Sequence, residues 1–236
     1  MIPKKIHYCW FGGEKLPNSV KKNIESWRKY CPDYEIIQWN ESNFDINSNK
    51  FVREAYKAKS WAFVSDYIRL KVVYDIGGIY LDTDVEIIKS LDFLLNNKAY
   101  FSVQQGGKYI NTGLGFGAEK GAEIVAEMLK EYDNVEFDFG NKMEIPCPIL
   151  NTNAAKKLGF TYSDDVHKYS WGKVYPPRYA DPYAPGTSES LKCIDTFSIH
   201  HYSASWTSVS NRLKLRIYNL LGMERVNFIK KLIKNR

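Results

Sequence analysis

Long apolar runs are missing from this chain. None approaches the roughly 18 residues a membrane-crossing helix requires, which excludes an ordinary transmembrane segment. The first residues include Lys4 and Lys5 but no apolar stretch of the length a secretory leader needs, which argues against a signal peptide. Cysteine is sparse: Cys9, Cys31, Cys147 and Cys193 show no CxxC spacing and read as reduced cytosolic thiols, not as a disulfide frame. Internal repeats are absent, and no linker is polar enough to mark a domain boundary. Net charge is a modest +6, and the excess sits at one end. Residues 211–236 carry Arg212, Lys214, Arg216, Arg225, Lys230, Lys231, Lys234 and Arg236 against the single acid Glu224. A basic balance confined to one tail, without a helix-turn-helix or ribonucleoprotein-type motif, argues against a nucleic-acid binding module.

What is present is enough for one sizeable core. The chain has 236 residues, 44% of them hydrophobic and 15% aromatic, so a disordered segment cannot dominate it. The 17 tyrosines and 6 tryptophans fit core packing and also aromatic clefts that hold sugars or nucleobases. Lys5–Trp10 reads as a first strand running into Phe11-Gly12-Gly13. Asn18 or Ser19 caps a helix through about Tyr30, and Tyr34–Trp39 is a second strand. Phe51–Lys59 is a helix leading into the stretch WAFVSDYIRLKVVYDIGGIYLDTDVE, residues 61–86. There a helix apolar on nearly every side, Trp61–Ile76, stops at Gly77-Gly78, where a left-handed cap is expected. The strand Ile79–Leu81 then enters Asp82-Thr83-Asp84. This alternation of strands and helices predicts a mainly parallel sheet covered on both faces.

Further along, Leu91–Leu95 reads as a helical turn, Ala99–Gln104 as a strand and Asn111–Gly117 as a glycine-rich strand. Helices are expected over Gly121–Tyr132 and Thr152–Leu158, a Pro- and Tyr-rich loop over Trp171–Ser190, and a last strand over Phe197–Tyr202. The tail pattern, Asn211–Leu221 and Glu224–Lys234 around Gly222, is that of two basic amphipathic helices. It reads either as an anchor to an anionic membrane surface or as helices packed on the domain.

Several residue types carry chemistry. Ser65, Asp66 and Arg69 share one face of the apolar helix, and charges buried there need partners. They are either a structural ion pair or a site where Arg69 neutralises phosphate and Asp66 accepts sugar hydroxyls. Asp82 and Asp84, two residues apart at a strand end, point the same way and suit Mg2+ or Mn2+. Of the adjacent histidines, His201 is the preferred third ligand and His200 the alternate, since neighbouring strand residues face opposite ways. Trp10 sits where a strand gives way to a loop, the usual place for a binding residue in an open α/β sheet.

The segments IPKKIHYCWFGG, YEIIQWNESNFD, AFVSDYIRLKVVYDIGGIYLDTDVE and IHHYSASW together resemble glycosyltransferase family 32, over Ile2 to Trp206. The resemblance is to its bacterial members in capsular and surface polysaccharide synthesis. More distantly, it extends to the sugar-transferring domains of large clostridial toxins and to yeast mannosyltransferases. It implies an α/β GT-A fold, a Rossmann-like mixed sheet flanked by helices, with residues 1–210 as the catalytic domain and 211–236 as a basic helical tail. It also implies a retaining hexosyltransferase that uses a nucleotide-diphosphate sugar, UDP-hexose first, with Mn2+ or Mg2+. By resemblance Trp10 stacks on the base, Tyr80 joins the donor site, and Asp66 and Arg69 contact sugar and diphosphate. Asp82 serves ribose and metal, Asp84 and His201 ligate the metal, Ser205 and Trp206 close over the phosphates, and Asn111 lies beside the anomeric carbon. The acceptor is a saccharide, lipid-linked if the tail anchors the chain, and the place is the cytoplasm or the inner face of the membrane. The departures from the family pattern, CPILNTNAAKKLG and YPPRYADPYAPG, border the acceptor. The rival readings are a phosphohydrolase or phosphotransferase of haloacid-dehalogenase type, whose acidic triplet sits on the first strand, and a non-catalytic nucleotide-sugar binder.

Overall fold

A computed structural model describes residues 1–106, 108–133, 135–137, 146–183 and 190–203. Strand β1 (Lys5–Cys9) lies between β2 (Glu35–Trp39) and β3 (Gly78–Tyr80), parallel to both. Helix α1 (Asn18–Tyr30) links β1 to β2; α2 (Lys50–Lys57) and α3 (Trp61–Ile76) link β2 to β3. Next come β4 (Val85–Ile87), β5 (Ala99–Ser102), β6 (Phe116–Ala118), α4 (Glu123–Lys130), α5 (Cys147–Lys157), β7 (His167–Tyr169), β8 (Gly172–Tyr175) and β9 (Ser198–His200). Seven strands form one sheet in the order β2-β1-β3-β6-β5-β8-β7, and β4 pairs with β9 in a separate antiparallel ribbon.

Strand residues alternate between two cores. Ile6, Tyr8, Ile79, Leu81 and Tyr100 pack with Val20, Ile24 and Trp27 of α1. Their neighbours Cys9, Tyr80 and Phe101 face the opposite side, against Val64, Ile68 and Val72 of α3. This is the period-two signature of a sheet buried on both faces, which is why these strands read as nearly continuous apolar runs.

The mixed sheet implied by the family resemblance is what the structure has, whereas the strand–helix alternation alone overstated the parallel pairs. Pairs β3/β6, β5/β6 and β7/β8 are antiparallel, so the sheet is mixed. For β7 and β8 the reason is length: only Ser170 and Trp171 separate them, enough for a hairpin but far too few for a crossover. Strand β8 also corrects the loop reading of Trp171–Ser190, since it pairs with β5 inside the sheet. Helix α5 starts five residues earlier than expected. Pro148 sits in its first turn, where the missing N–H is no loss.

Two features aim the chain at the acidic triplet. Helix α3 ends at Gly77, whose φ of +76° and close neighbours, Lys120 N and Pro3 Cδ at 2.9 Å from any added Cβ, leave room only for glycine. Buried His7 then ties β1 and β2 to that turn: it accepts from Trp39 Nε1 at Nδ1 (3.1 Å) and donates from Nε2 to Gly77 O (2.9 Å). Burial lowers its pKa, so the ring stays neutral in this relay. Among the described residues no helix is long and apolar enough to cross a membrane. The tail, the boundary near residue 210, and Ser205 and Trp206 lie outside the described residues.

Candidate active site

The carboxyl ends of β1 and β3 deliver the triplet. Beyond Tyr80 the chain turns, with Val85 N bonded to Asp82 O (3.0 Å), and Thr83 O accepts from Asn23 Nδ2 of α1 (2.9 Å). The Asp82 and Asp84 side chains emerge together on the site side of this turn, as their spacing predicted. Ribbon β4/β9 then brings His200 opposite Val85 and its imidazole onto Asp84, Nε2 to Oδ1 at 3.0 Å.

One ligand atom each from Asp82, Asp84 and His200 lies within 4.8 Å of the other two. Two hard carboxylates and one imidazole suit Mn2+ or Mg2+, so the donor set fits the divalent ion expected here. His201, the preferred ligand, is corrected by this geometry: its Nε2 sits 2.9 Å from Glu86 Oε2 on the exposed side of the ribbon. The alternation that kept both histidines open is decided by the β4/β9 register, which turns the even-numbered residue inward.

Asp84 is anchored on its other oxygen by Ser203, whose backbone N–H (2.9 Å) and hydroxyl (3.1 Å) both donate to Oδ2. Burial alone would raise its pKa. The His200 charge and hydrogen bond, with the Ser203 donors, override that and hold the carboxyl well below the usual range. Burial also works against a charge on His200, but Asp84 outweighs it and lifts the imidazole pKa above its ordinary value. Folding stability from that pair is therefore complete below the ordinary histidine pKa and is lost as pH rises through the raised one. A metal ion at Nε2 must displace the same proton. The Mn2+-induced rise in melting temperature is accordingly expected to be small near pH ~5.5 and to grow towards pH ~8. A flat or inverted profile would contradict this assignment.

Arg69 is 3% exposed, and its guanidinium lies between Asp66 Oδ1 (2.9 Å) and Asp82 Oδ1 (3.2 Å). Its Nε and Nη2 also donate to Ser65 O and Oγ, both at 3.1 Å, and its fork lies over the Tyr80 ring at 5.0 Å. Of the two sequence readings of this pair, the geometry shows the structural one: a buried ion cluster in which Arg69 lies between the two carboxylates. Tyr80 adds an O–H to Asp82 Oδ1 (3.0 Å). Burial lifts the Asp66 carboxyl to about 6, with Arg69 pulling the other way, and burial likewise raises Asp82.

Asn111 is close by but is not free. Its carboxamide accepts from Gly113 N (2.8 Å) and donates to Gln104 Oε1 (3.0 Å), capping the 3-10 turn Thr112–Leu114. That turn seats Gly113 against the cluster: an added Cβ would lie 2.6 Å from Asp82 Oδ2 and 3.1 Å from Arg69 Nη1. Gly113→Ala should push Asp82 out of line and cut the Mn2+-induced thermal shift by at least half, while far-ultraviolet circular dichroism stays unchanged. Trp10 follows Cys9 at the end of β1, with Nε1 bonded to Glu14 O (2.6 Å) and its backbone N–H to Trp39 O (2.9 Å).

Ser203 and Gly113 were missed by reading the sequence. Only Ser203 carried a local signal, its place within IHHYSASW.

Residues 17–101, which include the triplet, match the family model described as a glycosyltransferase sugar-binding region containing a DXD motif. The chain is 26% identical over 146 residues to inositol phosphoceramide mannosyltransferase 3 of Schizosaccharomyces pombe, covering 58% of this chain and 39% of that protein. A glycosyltransferase involved in glycosylation of the major capsid of PBCV-1 is similar in structure, with a TM-score of 0.50 at 16% identity, over 89% of this chain and 98% of that one. The PaToxG glycosyltransferase is similar too, with a TM-score of 0.53 at 18% identity over 66% and 68%. The curated relatives are longer than the match: the chain spans no more than 40% of their length.

Proposed function

We propose that this chain, which carries a DXD sugar-binding region on the GT-A glycosyltransferase fold, transfers a hexose from a nucleotide-diphosphate sugar to a saccharide acceptor. The observation that carries the reading is the convergence of Asp82, Asp84 and His200 beside the buried Asp66–Arg69 pair. In this reading Asp82, Asp84 and His200 hold Mn2+ or Mg2+. The chemistry such an ion supplies is Lewis-acid stabilisation of charge on the departing diphosphate.

The chain's own residues do the rest. Arg69, locked by Ser65, Asp66 and Asp82, fixes the direction of both carboxylates and keeps them from repelling each other. Asp66 accepts hydroxyls of the donor hexose, and Trp10 stacks on the base, uracil first. Ser203 holds Asp84 in place by two hydrogen bonds, which removes the cost of orienting it when the donor binds. Asn111, capping the Gly113 turn, shapes the floor beside the anomeric carbon. Transfer with retention, from the donor's front face, is part of the proposal and follows the family resemblance. A hexose donor is supported by the mannosyltransferase name of the fission-yeast relative. A role in capsule or surface polysaccharide, a UDP donor, a lipid-linked acceptor and a membrane-facing tail rest on the sequence alone.

The haloacid-dehalogenase alternative is disfavoured by position: the triplet here follows the third strand and meets a histidine from the chain's last described strand. The direct test is incubation with a panel of UDP- and GDP-hexoses and Mn2+, read by mass spectrometry for nucleoside diphosphate release and sugar transfer. Turnover of at least one donor, abolished by chelation, is the expected result. No turnover of any donor would overturn the proposal.

A further inference from the structure

One buried carboxylate outside the ligand set is not used by the mechanism. Asp181 follows the short turn Pro177–Tyr179 and is 0% exposed. Its Oδ2 accepts the Gln105 backbone N–H (2.7 Å) and the Tyr202 hydroxyl (2.8 Å). Its Oδ1 is buried and has no hydrogen-bond partner among the described residues. His200 is in the matching condition: Nε2 faces Asp84, while Nδ1 is buried and unpartnered. Tyr202 joins the two, its ring packed edge-on against the imidazole (4.1 Å between centroids, 80°) and its hydroxyl on Asp181. Tyr202 also holds a φ of +48°, a backbone strain for a residue with a bulky side chain. Strain of this kind persists where surrounding contacts fix it, and here those contacts are Asp181 and His200.

We propose that Asp181 is the positioning carboxylate of His200: its Oδ1 accepts the imidazole Nδ1–H, directly or through one water, so that Nε2 is presented to the Asp82–Asp84 pair. A buried acceptor and a buried donor left apart each cost free energy, and pairing them removes both penalties. Two donors already occupy Oδ2, so Oδ1 is the oxygen that remains for the ring. Metal-binding histidines depend on such outer partners for tautomer and orientation, and removing one commonly weakens metal binding about 10–100-fold. Asp181 lies in the Pro- and Tyr-rich segment, so the proposal gives that segment a place in the metal site. It rests on the metal-binding reading above and extends it to a residue outside the ligand set.

The test is Mn2+ binding to the full chain without donor, followed by electron paramagnetic resonance of the free ion. Long-range 1H–15N spectra of the Mg2+-loaded protein report the His200 tautomer. Wild type is expected to bind Mn2+ and to show His200 protonated at Nδ1. Asp181→Asn should weaken Mn2+ binding about 10–100-fold. Tyr202→Phe, which keeps the carboxylate but frees one of its restraints, should weaken binding less, by a few-fold. A purely structural Asp181 would lower the melting temperature of the metal-free protein without changing the Mn2+ affinity of the folded form. Should Asp181→Asn fail to fold, Tyr202→Phe and the wild-type tautomer decide. Wild-type Mn2+ affinity in the folded variants, or a His200 bare at Nδ1, would overturn the proposal alone. No Mn2+ binding by wild type would overturn the metal reading and this proposal with it.

Discussion

Replacing Asp84 with Asn is expected to remove the Mn2+-induced thermal shift and to reduce sugar transfer by roughly 10²–10³-fold, the scale of losing one group that stabilises transition-state charge. The carboxylate does two things that the amide cannot. Its Oδ1 faces His200 Nε2 at 3.0 Å as a full negative charge, and it supplies a hard anionic oxygen to the cluster with Asp82. The fold should survive, because the Asn side-chain oxygen can still accept from the Ser203 N–H and hydroxyl. Some stability is nevertheless lost. A carboxyl whose folded pKa is depressed contributes stability above its unfolded pKa and loses it as pH falls through the folded one. The Asn variant should therefore melt a few degrees lower than wild type at neutral pH, with the gap closing in acid.

Arg69→Met should show the largest effect on stability. Its guanidinium is 4% exposed at the side chain, so the ion pairs it makes with Asp66 and Asp82 are barely screened by water. Truncation leaves both carboxylates, 15% and 26% exposed at their side chains, without their counter-ion. Breaking a buried pair in this way typically costs about 3–5 kcal/mol. For a domain of this size that corresponds to a melting temperature lower by roughly 6–20 °C. Adding Asp66→Asn to Arg69→Met should restore part of the loss, since one of the two stranded charges is then removed. Equal melting of wild type and Arg69→Met would mean the cluster is far more hydrated than its burial indicates.

The parts of this molecule that were legible in its sequence are those where local pattern and burial agree. The strands beside helix α3 are apolar on both faces because a core lies on each side of the sheet, and α3 is apolar along the stripe it buries, Val64, Ile68, Val72 and Val73; both patterns survive in one dimension. Asp66, Arg69, Asp82 and Asp84 stood out for the same reason, as charges where the surroundings are apolar. The short strands β4, β7 and β8 were not legible, since three or four residues carry too little periodicity to register. The choice between His200 and His201 needed the pairing of β9 with β4, which are more than a hundred residues apart. Asp181 and Gly113 were hidden for a related reason: one is a carboxylate that only becomes buried in the fold, the other a missing side chain whose absence matters only because Asp82 closes over it. Arg69 was found but its posture was not. A phosphate-binding arginine and a carboxylate-orienting one look the same until Arg69 is seen held between Asp66 and Asp82.

A divalent-metal site made by Asp82, Asp84 and His200 that receives a nucleotide sugar must bind ion and donor together. Thermal unfolding with a panel of UDP- and GDP-sugars, each with and without Mn2+, tests it most directly. At least one donor is expected to raise the melting temperature only when Mn2+ is present, and Asp84→Asn to show no such rise. A chain whose melting is indifferent to Mn2+ and to every nucleotide sugar would contradict it.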